Sequence, residues 1–151
     1  MTNRCNCFRK CSCLILMIVC IFTTNWGIVK AQCAPEEYSM NCIEKIREGF
    51  IYLKSYNIDS KKSTKNKVEY TAVFSKDVHY VLNICTGSTD TDDIILTIYN
   101  ASKETVASTL AEVGISSELE YDCNKTGIYY LTFTFRNSKS SCGGCILSFK
   151  K

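Results

Sequence analysis

The chain has 151 residues, with 18 Lys and Arg against 15 Asp and Glu, 11 Cys, one Pro and one His. That length accommodates one domain of ordinary size. A single histidine excludes multi-histidine metal centres and makes any Ser-His-Asp or Cys-His set depend on His79 alone.

Met1 to Lys10 carry Arg4, Arg9 and Lys10 and no acid, and the apolar run Leu14 to Phe22 follows. A basic segment feeding a short apolar one is the pattern of a secretory signal peptide. The run is interrupted by Thr23, Thr24, Asn25 and Gly27, short of the ~20 apolar residues that cross a bilayer. Cleavage after Val29-Lys30-Ala31 is expected, assigning residues 1–31 to the signal and 32–151 to a single exported domain, secreted or periplasmic, with no membrane span after cleavage. Cys20 follows Val19 and Cys33 follows Gln32, neither being the small residue that lipoprotein processing needs. The signal also takes away four basic residues and no acid, so the remaining 14 basic and 15 acidic residues give −1. The positive charge therefore belongs to targeting, and nucleic acid is not an expected partner.

Five cysteines leave with the signal, and Cys33, Cys42, Cys85, Cys123, Cys142 and Cys145 remain. An even set in a small exported domain reads as a disulfide framework, for which six cysteines allow about 15 pairings. The pairing preferred from sequence is Cys33 with Cys42, Cys85 with Cys123 and Cys142 with Cys145.

Ala34-Pro35-Glu36-Glu37 reads as a helix start, with proline in the first turn and acids at the positive end of the dipole. Tyr38, Cys42, Ile43, Ile46 and Phe50 continue at helical spacing and Gly49 supplies a stop, predicting one helix over about 35–48. A strand over 50–56 follows, then the exposed lysine-rich loop Asp59 to Lys67. From Val68 the period is two: 68–74 and 78–84 read as a hairpin about Ser75-Lys76-Asp77. Further strands are expected at Ile94 to Tyr99, Thr105 to Ala111, Ser117 to Asp122, Ile128 to Arg136 and Cys145 to Phe149. About eight short strands without crossover helices predict a mainly β, antiparallel sandwich or jelly roll with one short N-terminal helix, braced by disulfides.

Tyr80-Val81-Leu82, the acidic-to-apolar run Asp90 to Asn100 and Thr126-Gly127-Ile128-Tyr129-Tyr130-Leu131 follow in an order that resembles the pre-peptidase C-terminal (PPC) class of bacterial β-sandwich. Small secreted bacterial proteins built around one such domain are similar. The resemblance spans Tyr70 to Phe149 and implies an accessory or binding module. This chain differs in carrying cysteines and in having no protease domain before the sandwich.

Four features could carry chemistry. Cys142-Gly143-Gly144-Cys145 suggests thiol-disulfide or metal-dependent activity, but paired glycines between strand residues favour a hairpin turn. Asp90, Asp92 and Asp93 supply hard oxygens suited to calcium, without the glycine and distal glutamate of an EF-hand. Tyr129 and Tyr130 suggest a binding face, although alternation turns one of them inward, and Tyr129 fits a corner tyrosine tying down its loop. His79 fits a strand-surface position. The expectation is a non-enzymatic exported module that binds protein or glycan, with activity at the Cys-Gly-Gly-Cys motif or an accessory role in a larger secretion or protease system as alternatives.

Overall fold

The computed structural model describes residues 33–86, 94–112, 114–136 and 142–151. The elements are α1 (Pro35–Cys42), β1 (Ile51–Asp59), β2 (Lys67–Phe74), β3 (His79–Thr86), β4 (Ile94–Tyr99), β5 (Thr105–Ser108), β6 (Leu110–Ala111), β7 (Gly114–Ile115), β8 (Glu118–Asp122), β9 (Gly127–Phe135) and β10 (Cys142–Lys150). One sheet has the order β1-β10-β3-β8, the second β2-β9-β4-β5, and β6-β7 form a small ribbon. Every pairing is antiparallel. Successive strands mostly change sheets, so the eight long strands form a jelly roll.

Period-two alternation builds the core. Leu82 and Ile84 from β3, Leu147 from β10, Leu96 and Ile98 from β4, and Leu131 and Phe133 from β9 are buried between the sheets. Phe74 stacks on Tyr80 at 4.1 Å and on Tyr129 at 5.0 Å, filling one end of the sandwich.

The expected hairpin of 68–74 with 78–84 is not formed. β2 pairs with β9, whereas β3 pairs with β10 and β8. The connection arches from one sheet to the other, so Phe74 and Tyr80 meet face to face across the core. Asp77 takes φ 61°, its N–H donates to the Cys123 carbonyl at 2.8 Å, and the Tyr80 hydroxyl accepts from Ser75 N at 2.9 Å. Alternation looks the same in a hairpin and an arch; only the facing partner differs.

Three boundaries also move. The expected strand 105–111 bends at buried Thr109, whose Oγ1 accepts from Leu96 N at 2.9 Å and ends β5. The helix stops at Cys42 and continues as a 3-10 turn, Ile43–Lys45. β10 begins at Cys142, so the glycine pair lies inside a strand, not in a turn.

Gly144 of that pair seats the N-terminal segment. Residues 33–50 cover the outer face of the first sheet, where Val81, Asn83, Ile146 and Ser148 are buried. A Cβ at Gly144 would fall onto the backbone of Ser39, and one at Gly143 would lie 2.7 Å from the Cys85 carbonyl. Two bridges fasten the segment, Cys33–Cys142 and Cys42–Cys85. These replace the three pairings preferred from sequence. Cys142 and Cys145 are three apart in an extended strand and point to opposite faces. Cys123 and Cys145 remain as buried thiols in the core between the sheets.

Gly144→Ala is expected to destabilise the fold by about 1–3 kcal/mol, because α1 must lift to admit the methyl group. Gly127→Ala, where an added Cβ meets nothing within 4 Å, should be neutral or stabilising by up to ~1 kcal/mol. Denaturant unfolding of the two variants checks both, and equal destabilisation would contradict the close seating of α1. Burial pushes the Tyr56 phenol up from 10.0 to about 12, with the neighbouring Cys145 thiol adding to the shift. The folded chain then holds a proton that the unfolded chain releases. This contribution to stability is intact below pH 10 and is lost as pH rises towards 12. Alkaline titration followed by phenolate absorbance and circular dichroism should show Tyr56 ionising together with unfolding, and Tyr56→Phe should weaken that alkaline loss.

Candidate functional site

Two surfaces stand out, one charged and one apolar. At the charged surface, β3 and β8 place His79 opposite Asp122. The ring Nδ1 lies 2.5 Å from Asp122 Oδ1, and Nε2 lies 3.2 Å from Glu120 Oε2. Arg47, from the segment covering this sheet, pairs with both Glu118 and Glu120. Phe50 meets the imidazole edge-on at 5.6 Å. The Arg47 guanidinium, through its hydrogen bond, holds the Glu120 carboxyl below its ordinary value. An open cleft of about 470 Å³ beside His79 is lined also by Asp77, Asn124 and the terminal Lys150 and Lys151.

A histidine held between two carboxylates has the orientation of a general base, but catalysis needs a nucleophile or substrate proton within hydrogen-bond reach. Among the described residues, the ring nitrogens contact only the two acids, and no group of three or more potential metal ligands is present. The network closes on itself and fastens residues 47–50 to β8.

The second surface lies along β1 and β2, the end strands of their respective sheets. Leu53, Lys54, Thr71 and Val73 flank a groove of about 210 Å³, with Tyr56, Ala72 and Leu147 also lining it. Val73 is 67% exposed and Ile51 61%, with Leu53 and Ile128 near half. Val73 and Ile128 are cross-strand partners, which extends the aliphatic surface onto β9. The β1–β10 register shifts between Tyr52 and Lys54, making Leu53 a bulged residue directed away from the ladder. Lys54 Nζ sits 5.3 Å from the centre of the Tyr56 ring.

No protein-family model matches the chain. No curated protein matches it either. Among solved structures it is similar to the crystal structure of Aeromonas hydrophila PliG, a periplasmic lysozyme inhibitor of g-type lysozyme. The identity is 10%, the match covers 68% of this chain and 87% of that chain, and the TM-score is 0.48.

The residues singled out from sequence fall in different places. Tyr129 points inward, and its hydroxyl donates to the Lys125 carbonyl at 2.7 Å, forming the loop-tying corner. Tyr130 points outward, with Lys103 Nζ 3.1 Å from its ring centre. The two tyrosines therefore form no common face. Asp90, Asp92 and Asp93 lie outside the described residues. Cys142 is bonded to Cys33, so the motif holds no dithiol for redox chemistry. Cys145 is fully buried, and burial pushes its thiol up, away from the reactive thiolate.

Sequence reasoning missed the aliphatic edge, although a signal for it was present. Val73 and Ile128 sit on the polar phase of strands whose inward phase is already filled by Phe74 and Tyr129. An aliphatic residue out of phase in an amphipathic strand is expected at the surface.

Intact mass of residues 32–151 should correspond to two disulfides and two free thiols. Alkylation without reductant should label neither Cys123 nor Cys145 in the native protein and both after denaturation. Rapid native labelling, or a mass two hydrogen atoms lighter that maps to a Cys123–Cys145 bridge, would contradict this arrangement.

Proposed function

We propose that the chain is an exported, non-enzymatic protein-binding module that takes its partner along the edge formed by β1 and β2. The observation that carries this reading is the row of exposed aliphatic side chains, Ile51, Leu53, Val73 and Ile128, beside a groove at two strand edges. Contiguous apolar surface rimmed by polar groups is characteristic of interaction sites. Two disulfides agree with an oxidising, secreted or periplasmic compartment. Among the described residues no helix is long and apolar enough to cross a membrane. The resemblance of Tyr70 to Phe149 to pre-peptidase C-terminal modules points the same way, towards recognition without chemistry.

Protein is favoured over glycan because sugar recognition uses open aromatic faces. Tyr129 and Tyr56 are buried and Lys103 lies over the Tyr130 ring, so these tyrosines form no shared open platform. Aliphatic side chains flanking a narrow groove instead suit the side chains of a polypeptide.

Selection of displayed random peptides on the immobilised protein provides the test. Enriched peptides should lose at least about tenfold in affinity when Leu53→Arg or Val73→Arg is introduced. Met40→Arg, on the exposed face of α1, should leave binding unchanged. Peptides that respond to Met40→Arg and ignore both edge substitutions would place recognition elsewhere and overturn the reading.

A further inference from the structure

Charge along the same edge narrows the partner. β1 runs from Ile51 to Asp59, the 60–66 turn reverses the chain, and β2 returns from Lys67 to Phe74. The aliphatic residues Ile51, Leu53 and Val73 therefore occupy one end of the edge. Lys61, Lys62, Lys65 and Lys67 occupy the other, all exposed. None of these four has an ion-pair partner among the described residues, and Lys54 between the two ends has none. The neighbouring acids are already engaged. Asp59 accepts from Lys61 N at 2.9 Å, and Glu69 binds Lys103 at 3.4 Å and Thr132 at 3.2 Å.

In a domain of net −1, five exposed lysines on one edge outnumber the acids beside them, Asp59 and the Lys103-paired Glu69, and make a local positive field. Lys65 and Asn66 adopt φ of 54° and 59°, folding the turn tightly enough to keep its lysines close together. Nine residues of β1 extend over roughly 30 Å, the reach of a short extended peptide.

We infer that the segment received at this edge is an extended stretch of a partner protein, apolar at one end and acidic at the other. This rests on the protein-binding reading above. A sulfated glycan would satisfy the lysines and leave the aliphatic end unmatched. An anionic bilayer favours protruding apolar groups ringed by lysines, whereas here the aliphatic residues flank a groove and four of the five lysines lie beyond one end of it. A two-part extended peptide matches both ends.

The probes are a synthetic peptide with glutamates at one end and leucine and valine at the other, its glutamine-for-glutamate counterpart, and a composition-matched peptide with the two types alternating. A heparin fragment and phosphatidylserine vesicles are the competing classes. Fluorescence anisotropy at low and high salt measures the soluble probes, and co-sedimentation measures the vesicles. The block peptide should bind on the order of tenfold tighter than either control peptide, with the advantage shrinking in high salt. It should disappear in the combined variant Lys61→Gln, Lys62→Gln, Lys65→Gln, Lys67→Gln, whose substitutions are all on exposed side chains and leave the core intact. Equal binding of the glutamate and glutamine peptides would overturn the inference, as would tighter binding of heparin or vesicles. If those two peptides bind equally but both are lost with Leu53→Arg, the acidic requirement fails while the groove reading stands. Insensitivity to Leu53→Arg as well removes both.

Discussion

The Cys42–Cys85 and Cys33–Cys142 bridges hold residues 33–50 flat against the outer face of the first sheet, at the two ends of α1 and on two different strands. A helix of eight residues has almost no stability of its own. Covalent attachment to β3 and β10 supplies what the helix cannot. The close approach is possible only because Gly144 presents no side chain to Ser39, so bridges and glycine depend on each other. With the segment in place, Cys42, Cys85 and Ile146 become a second small core outside the sandwich, with Ile46 packed against it. Native disulfides in small secreted domains are typically worth about 2–5 kcal/mol, large against the marginal stability of a domain this size.

That covering decides which surface is available for recognition. One broad face of the jelly roll is shut by the N-terminal segment, and the Arg47–Glu118–Glu120–His79 network fastens its far end. The opposite face, on the second sheet, is knitted by Glu69, Lys103 and Thr132 around Tyr130. The unsatisfied apolar surface is left at the side, where β1 and β2 end their sheets. Which apolar surface stays exposed therefore follows from what the disulfides cover as much as from what the strands present.

Much of this was legible in the sequence because alternation reports which residues face a core. The strands expected at 94–99, 117–122 and 128–136 form within a residue of those bounds, and the period required that one of Tyr129 and Tyr130 turn inward. Sheet membership did not follow, since Phe74 and Tyr80 alternate identically whether they flank a hairpin or face each other across a sandwich. The disulfides failed for a related reason. Pairing by proximity in sequence presumes local loops, whereas a jelly roll brings Cys33 against Cys142, 109 residues away. The glycine pair was misplaced because glycine signals a tight turn and a close backbone approach equally well, and only the position of Ser39 distinguishes them. The candidate edge was legible only as an exception, in the aliphatic residues that fall out of phase at Val73 and Ile128.

An exposed strand edge with aliphatic side chains is ordinarily a route to aggregation, and β1 carries two of the devices that prevent it. The bulge at Leu53, in the ladder with β10, makes the backbone of β1 irregular, and Lys54 sets a charge in the middle of the edge. Indiscriminate strand addition relies on regular backbone groups, so these features suppress it while leaving the side-chain pattern untouched. In the proposed binding mode, recognition would fall to Leu53, Val73 and the lysines, which discriminate among sequences as backbone hydrogen bonds do not. An edge irregular in its backbone but ordered in its side chains, aliphatic at one end and basic at the other, is what the proposed partner recognition would require.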